Sequence, residues 1–513
     1  MFLCFKVPRL INGTRAAGSG KRIFNIRRVY LIISMIGALG LDGITHASES
    51  KLSFKRCSVL LSSGAMEIDA QCATFERNEN PKDTESRRIA LSVIKLPSHS
   101  PEPEPDAFTV IQGGPGGSSI DFAVAYSRVF EEIRKKRDII VIDQRGTGRS
   151  NKLTCELPEE LRNTFNLDLI QKATQKCLNE LSKENDLRYY TTSIAVDDLE
   201  ALRIAAGYSQ LNLYGVSYGT RVVLHFLKKY PSSARTAVID GVVQTGLNLA
   251  GGEIARRWED SFEALNNRCQ NEPSCANTHG DLYEQYQVLE ERFKAAPVTV
   301  TVPHPTTGKA TEYTFGEHTL FGAMRLMAYS TEQLALIPLL LSEAVKENYN
   351  FAAAQSLLME ANFADQFATG MHNSVVCTED APFVTADNKA QAKNTIIGEM
   401  MSDMLMNSCS VWPKGYMDQD FLEPFSTEIP VLILSGETDP ITPPENGEIA
   451  AEQLGNTKHI EVPAHGHGVV ARGCVPNLVG LFVTNASFEM VDDTCTKRER
   501  PSPFFNTLTG PTP

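Results

Sequence analysis

The sequence predicts an α/β protein: a mostly parallel sheet with helices on both faces and an inserted, mainly helical cap. Three observations predict it. Short apolar runs alternate with helix-like stretches through the first half of the chain. The segment Gly215-Val216-Ser217-Tyr218-Gly219 falls between one such run and one such helix. A long helix-like block then separates these elements from two further apolar runs near the C-terminus.

Of the 513 residues, the first 47 differ in kind from the rest. They hold seven of the 49 basic residues and a single acid, Asp42, followed by an apolar run over residues 29–41 and Thr45-His46-Ala47. This is the layout of a secretory signal peptide, residues 1–47, cut near Ala47. The rival is a membrane anchor, but the run falls short of the ~20 residues a bilayer needs, so stable membrane insertion after cleavage is not expected. Without the leader the net charge of −13 becomes about −19. That charge excludes nucleic acid and anionic membrane surfaces as partners and is compatible with a cationic group such as a peptide amine.

Eleven cysteines less Cys4 leaves ten, in sequence-local couples: Cys57/Cys72, Cys155/Cys177, Cys269/Cys275, Cys377/Cys409 and Cys474/Cys495. Five disulfides and an oxidising compartment, periplasmic or extracellular, are expected. Zinc binding is the rival. It lacks a C-x-x-C and histidines at zinc spacing.

Strands are expected over residues 89–96, 108–112, 138–143, 211–214 and 236–240, with helices over 193–206 and 221–229. These make a first core part, 48–247, in which residues 101–105 read as an exposed loop. The cap follows over 248–415, with helices at 253–267, 282–295 and 331–349 and a β-like insert at 298–302 and 313–315. Strands at 430–435 and 459–462 return in a second core part, 416–500. Residues 501–513 read as a loose tail.

A G-x-S-x-G between strand and helix is a nucleophile elbow. The tight turn thrusts the serine hydroxyl out of the sheet edge, and small residues two before and two after let neighbouring backbone pass. A hydroxyl needs a base, and the base an orienting carboxylate. In sheet hydrolases these follow the serine in the order acid, histidine. Asp439 follows the strand at 430–435 and is the expected acid, with Glu437 a lesser candidate. Pro463-Ala464-His465-Gly466-His467-Gly468 supplies the base. His467, between two glycines, is favoured, with His465 the runner-up. Gly113-Gly114-Pro115-Gly116-Gly117 follows a strand and suits an oxyanion hole, with donors assigned to the Gly114 and Tyr218 amides. A dinucleotide loop does not fit this glycine run, which lacks the G-x-G-x-x-G spacing.

Together with Asp143-Gln144-Arg145-Gly146-Thr147-Gly148-Arg149-Ser150, these motifs resemble the α/β-hydrolase serine peptidases of the prolyl and tripeptidyl aminopeptidase group. The resemblance covers about residues 55 to 495, its C-terminal part being TAP-like. It implies the α/β-hydrolase fold and a serine exopeptidase whose helical cap measures substrate length. Many relatives carry histidine where this chain has Gln112. Asp143 and Arg145 are expected to brace the loop and to take no catalytic part.

In relatives, cap carboxylates hold the substrate's free amine. Glu379 and Asp380, beside Cys377, are the local candidates, against the alternative of a solvated acidic pair. The expected protein is therefore an exported serine aminopeptidase, of prolyl or tripeptidyl type, that needs no metal or organic cofactor. The alternatives are a carboxylic ester hydrolase using the same Ser-Asp-His triad and a non-catalytic binding protein on the same scaffold.

Overall fold

A computed structural model describes residues 52–510, apart from 156–157, 159–160, 162–165, 306, 317–318, 394 and 397. The signal peptide expected over 1–47 lies outside the described residues.

Eleven strands are described. They are β1 (Lys55–Leu60), β2 (Glu67–Asn78), β3 (Arg88–Leu96), β4 (Ala107–Ile111), β5 (Asp138–Ile142), β6 (Leu211–Val216), β7 (Ala234–Asp240), β8 (Val298–Pro303), β9 (Ala310–Phe315), β10 (Thr427–Gly436) and β11 (Gly455–Val462). Nine form one sheet in the order β1-β2-β3-β5-β4-β6-β7-β10-β11. From β5 to β11 neighbouring strands are parallel, whereas β1, β2 and β3 join antiparallel. The parallel strands are apolar on both faces, as helix-covered strands must be. In β10, Val431 and Ile433 enter one buried cluster while Leu432 and Leu434 enter another, the period-2 alternation of a strand.

The chain reverses direction across the sheet where β4 lies between β5 and β6. The loops at the carboxyl ends of the strands there form the crevice in which open α/β sheets bind ligands. The Gly113–Gly117 loop and Ser217 follow β4 and β6 there, and Asp439 and His467 follow β10 and β11 at the same ends of the strands.

β1 and β2 are absent from the sequence reading. Their residues alternate between exposed and partly buried, so neither shows a continuous apolar run. The turn between them uses Gly64 at φ 75°, and the Cys57–Cys72 bond staples the hairpin. All five expected cysteine pairs are joined. Among the described residues no helix is long and apolar enough to cross a membrane. Five disulfides fit an exported protein.

Between β7 and β10 the chain is helical apart from the β8–β9 hairpin. This segment has its own buried cluster around Trp258, Phe262, Phe293 and Phe315. The helix expected over 331–349 is instead broken into Thr331–Leu334 and Ile337–Val345. Pro338, which lacks an N–H, sits in the first turn of the second piece.

The described part of the expected tail, 501–510, is not loose. Phe504 is 1% exposed within the cap cluster. The Arg268 guanidinium lies 4.1 Å from its ring centroid, and the Phe505 carbonyl meets His279 Nε2 at 3.1 Å. Proline-rich flanks hide this aromatic anchor. Phe504→Ala is expected to destabilise the protein by about 3–5 kcal/mol, the usual cost of emptying a buried aromatic site. Urea unfolding measures it, and a change below about 1 kcal/mol would show that the tail is not part of the core.

Candidate active site

β6 ends at Val216, and Ser217 turns the chain into the helix Tyr218–Lys229 with φ 57° and ψ −128°. A serine in this region is strained, by roughly 1–3 kcal/mol, and stays there only because its surroundings impose it. The two flanking glycines are required by close approach. A Cβ on Gly215 would lie 2.4 Å from the Gly219 carbonyl, and one on Gly219 would lie 2.2 Å from that of Ile111. The Ser217 N–H donates to the Asp240 carbonyl at 2.9 Å.

The Gly113–Gly117 loop lies directly against this serine. A Cβ on Gly113 would fall 2.6 Å from Ser217 Cβ and 3.2 Å from Oγ. The loop is held from outside by two elements. Ala368 N–H donates to the Gly116 carbonyl at 3.1 Å, and the Gln112 N–H donates to Ser119 Oγ at 3.1 Å. Tyr218, whose amide begins the helix, is buried and its hydroxyl meets Thr192 Oγ1 at 2.6 Å.

Asp143 and Arg145 have the bracing geometry. Asp143, fully buried, accepts from Ser118 Oγ and from the Ile120 and Arg149 amides. Arg145 is paired with Asp198 at 2.7 and 3.0 Å and donates to the Glu79 carbonyl.

Asp439 follows β10 and is buried. Its Oδ1 accepts the Ile441 and Thr442 amides, both at 2.9 Å. Its Oδ2 accepts the Thr442 hydroxyl at 2.8 Å and meets His467 Nδ1 at 2.8 Å. The carboxylate is thus fixed by three donors before it orients the imidazole, which leaves Nε2 as the ring's remaining proton-transfer atom. Burial acts to lower the His467 pKa. The Asp439 charge and hydrogen bond outweigh it, and the net shift is upward from 6.5.

The two candidate histidines have different partners. His465 Nε2 meets Glu499 Oε2 at 3.0 Å and its Nδ1 meets Thr331 Oγ1 at 3.3 Å, so both ring nitrogens are engaged away from Asp439. Glu437 accepts the Ala464 amide at 2.6 Å and fastens the histidine loop.

Glu379 and Asp380 are neither solvated nor open. Asp380 takes both Arg221 nitrogens at 2.8 and 2.9 Å and the Leu249 amide at 2.8 Å. Glu379 accepts the Thr192 amide and hydroxyl, each at 2.8 Å, and lies 3.5 Å from Arg221. Both side chains are 0% exposed. Burial pushes the Glu379 carboxyl up to about 7.

Three contributors were not legible beforehand. Thr442, three residues after the expected acid, was not singled out. Asp240 was read only as the end of β7. Its carboxylate accepts the Val469 and Val470 amides at 2.9 Å and the Tyr214 hydroxyl at 2.9 Å, so it ties the histidine loop to the elbow. Burial pushes Asp240 up to about 6. A carboxylate closing an apolar strand was the available signal. Tyr329, from the cap, packs edge-on against the His467 ring with centroids 4.9 Å apart.

Fold and site define a serine hydrolase of the α/β-hydrolase fold. Residues 106–277 match the alpha/beta hydrolase fold family and residues 393–495 match the TAP-like protein family. The tripeptidyl aminopeptidase of Streptomyces coelicolor is 23% identical, over 81% of each chain. The serine protease Hip1 of Mycobacterium tuberculosis is 22% identical over 77% of this chain and 81% of its own. The putative hydrolase YuaR of Escherichia coli is 28% identical, but that match spans 41% of this chain and 44% of YuaR. The resemblance to the prolyl and tripeptidyl aminopeptidase group therefore holds over most of the chain.

Proposed function

We propose that this protein is an exported serine exopeptidase, periplasmic or secreted, that removes residues from the free amino end of peptides. Ser217 is the nucleophile, His467 the base and Asp439 the orienting acid. Ser217 Oγ bonds to the scissile carbonyl carbon as His467 takes its proton, and the Gly114 and Tyr218 amides receive the charge on oxygen. The C–N bond then breaks, His467 protonates the leaving amine, and water hydrolyses the acyl-enzyme by the same route. The single observation that carries the reading is the 2.8 Å bond between Asp439 and His467, on the loops after β10 and β11 of the sheet whose β6 ends in an elbow serine held at φ 57°.

The segment 248–415 acts as the cap that limits substrate length. For the free amine, Asp380 is a poor candidate because Arg221 already occupies it. Glu379 is no better placed, since Thr192 takes both its oxygens, Arg221 lies 3.5 Å away and its side chain is 0% exposed, so the expected amine-holding role of the pair is withdrawn. The substrate is a peptide with a free N-terminus, of tripeptidyl or prolyl preference.

A panel of aminoacyl, prolyl and tripeptidyl chromogenic amides, each with free and acetylated amino ends, beside short p-nitrophenyl esters, tests this. Cleavage of a free-amine amide, at least tenfold reduced by acetylation, is expected. Ester turnover with every amide inert would replace the peptidase reading with an ester hydrolase.

A further inference from the structure

In serine acyl transfer the histidine that accepts the nucleophile's proton delivers it to the leaving nitrogen, so the leaving fragment departs past the imidazole. Groups packed against the His467 ring therefore border the path of that fragment. The cap supplies them. The His467 N–H donates to the Tyr329 carbonyl at 3.1 Å, and the Tyr329 ring packs on the imidazole. Four residues earlier, on the helix Thr319–Met327, Arg325 places its guanidinium 6.0 Å from the Tyr329 ring centroid. It is near enough to His467 to oppose part of the upward pull of Asp439.

Arg325 is half-buried, and among the described residues no Asp or Glu pairs with it. Its Nε is buried without a hydrogen-bond partner. The other buried arginines behave differently: Arg137, Arg145 and Arg221 each hold a carboxylate. A partly desolvated guanidinium lacking an anion gains most from one that arrives, and its planar fork matches a carboxylate.

We propose that Arg325 binds a carboxylate of the leaving fragment, which makes the enzyme selective for peptides whose leaving part is anionic close to the cut bond. This rests on the serine-peptidase reading above. The carboxylate has two sources: the free C-terminus of a short leaving fragment or an acidic side chain within it.

The test uses the full-length enzyme and one acyl portion with four leaving groups: Ala-Ala free acid, Ala-Ala amide, Asp-Ala amide and uncharged p-nitroaniline. Wild-type kcat/KM is expected to favour the free acid over the amide by about tenfold, the effect of one hydrogen-bonded charge. Arg325→Gln should abolish that preference and, with all rates read on the alkaline plateau where His467 is neutral, change anilide hydrolysis by less than about twofold; Arg325→Lys should restore part of the preference. If Asp-Ala amide matches the free acid, either carboxylate serves; if it matches Ala-Ala amide, only the chain terminus does. Equal wild-type rates for all three peptides, or a preference that survives Arg325→Gln, would overturn the inference. Loss of fluorophosphonate labelling and of all amide turnover in the wild type would instead remove the peptidase reading on which it rests.

Discussion

Ser217→Ala abolishes turnover while leaving the fold intact: kcat is expected to fall on the order of 10⁶-fold, the loss seen when a triad nucleophile is removed. The size follows from the chemistry. The other hydroxyl of the elbow, that of Tyr218, is engaged by Thr192, and what survives is whatever the proposed oxyanion amides and substrate binding can do without a covalent step. The fold should survive because alanine keeps the Cβ against which Gly113 packs. The strain at φ 57° is the same for both residues, and the backbone bonds to Asp240 and Thr220 are untouched. Purified variant and wild type should therefore unfold within about 1 kcal/mol of each other. The variant should take up no fluorophosphonate and cleave no chromogenic amide. Turnover within tenfold of wild type would show that Ser217 is not the nucleophile, and global unfolding would show that the elbow depends on the hydroxyl.

What could be read in advance was what local covalent geometry dictates. A serine flanked by Gly215 and Gly219 is recognisable because only glycine lets the Ile111 and Gly219 carbonyls pass at that distance. The parallel strands were recognisable because burial on both faces removes polar residues from them. The β1–β2 hairpin was not, since one face of an edge hairpin stays wet and its pattern merges with loop. Phe504 was not, because its partner Arg268 lies more than 200 positions away and the buried cluster it joins more than 100. The same holds inside the site. His465 and His467 sit in near-identical local sequence, each followed by glycine. Only the folded chain brings Glu499 to one and Asp439 to the other. Glu379 and Asp380 read as an open acidic pair because Arg221 and Thr192, which occupy them, are distant in sequence.

That difference in partners gives the second large effect. His467 must be neutral to accept the serine proton, and its pKa lies above 6.5 because Asp439 outweighs burial. A raised pKa keeps the imidazole protonated to higher pH, so kcat/KM should fall as pH is lowered through a value above 6.5, sooner than for an ordinary histidine. Asp439→Asn removes the anion but retains an amide of the same shape. It should lower kcat by about 10⁴-fold, the cost of presenting the wrong tautomer. Burial and the nearby Arg325 charge are then opposed only by the Asp240 charge, so the acid limb of the residual activity should move to lower pH. Glu499→Gln perturbs His465 in the corresponding way and should leave both rate and limb within about twofold of wild type, since His465 faces Thr331 rather than the elbow. A pH–rate series on the three proteins separates the histidines. If Glu499→Gln moves the limb and Asp439→Asn does not, residue 465 is the base and the acid is Glu499.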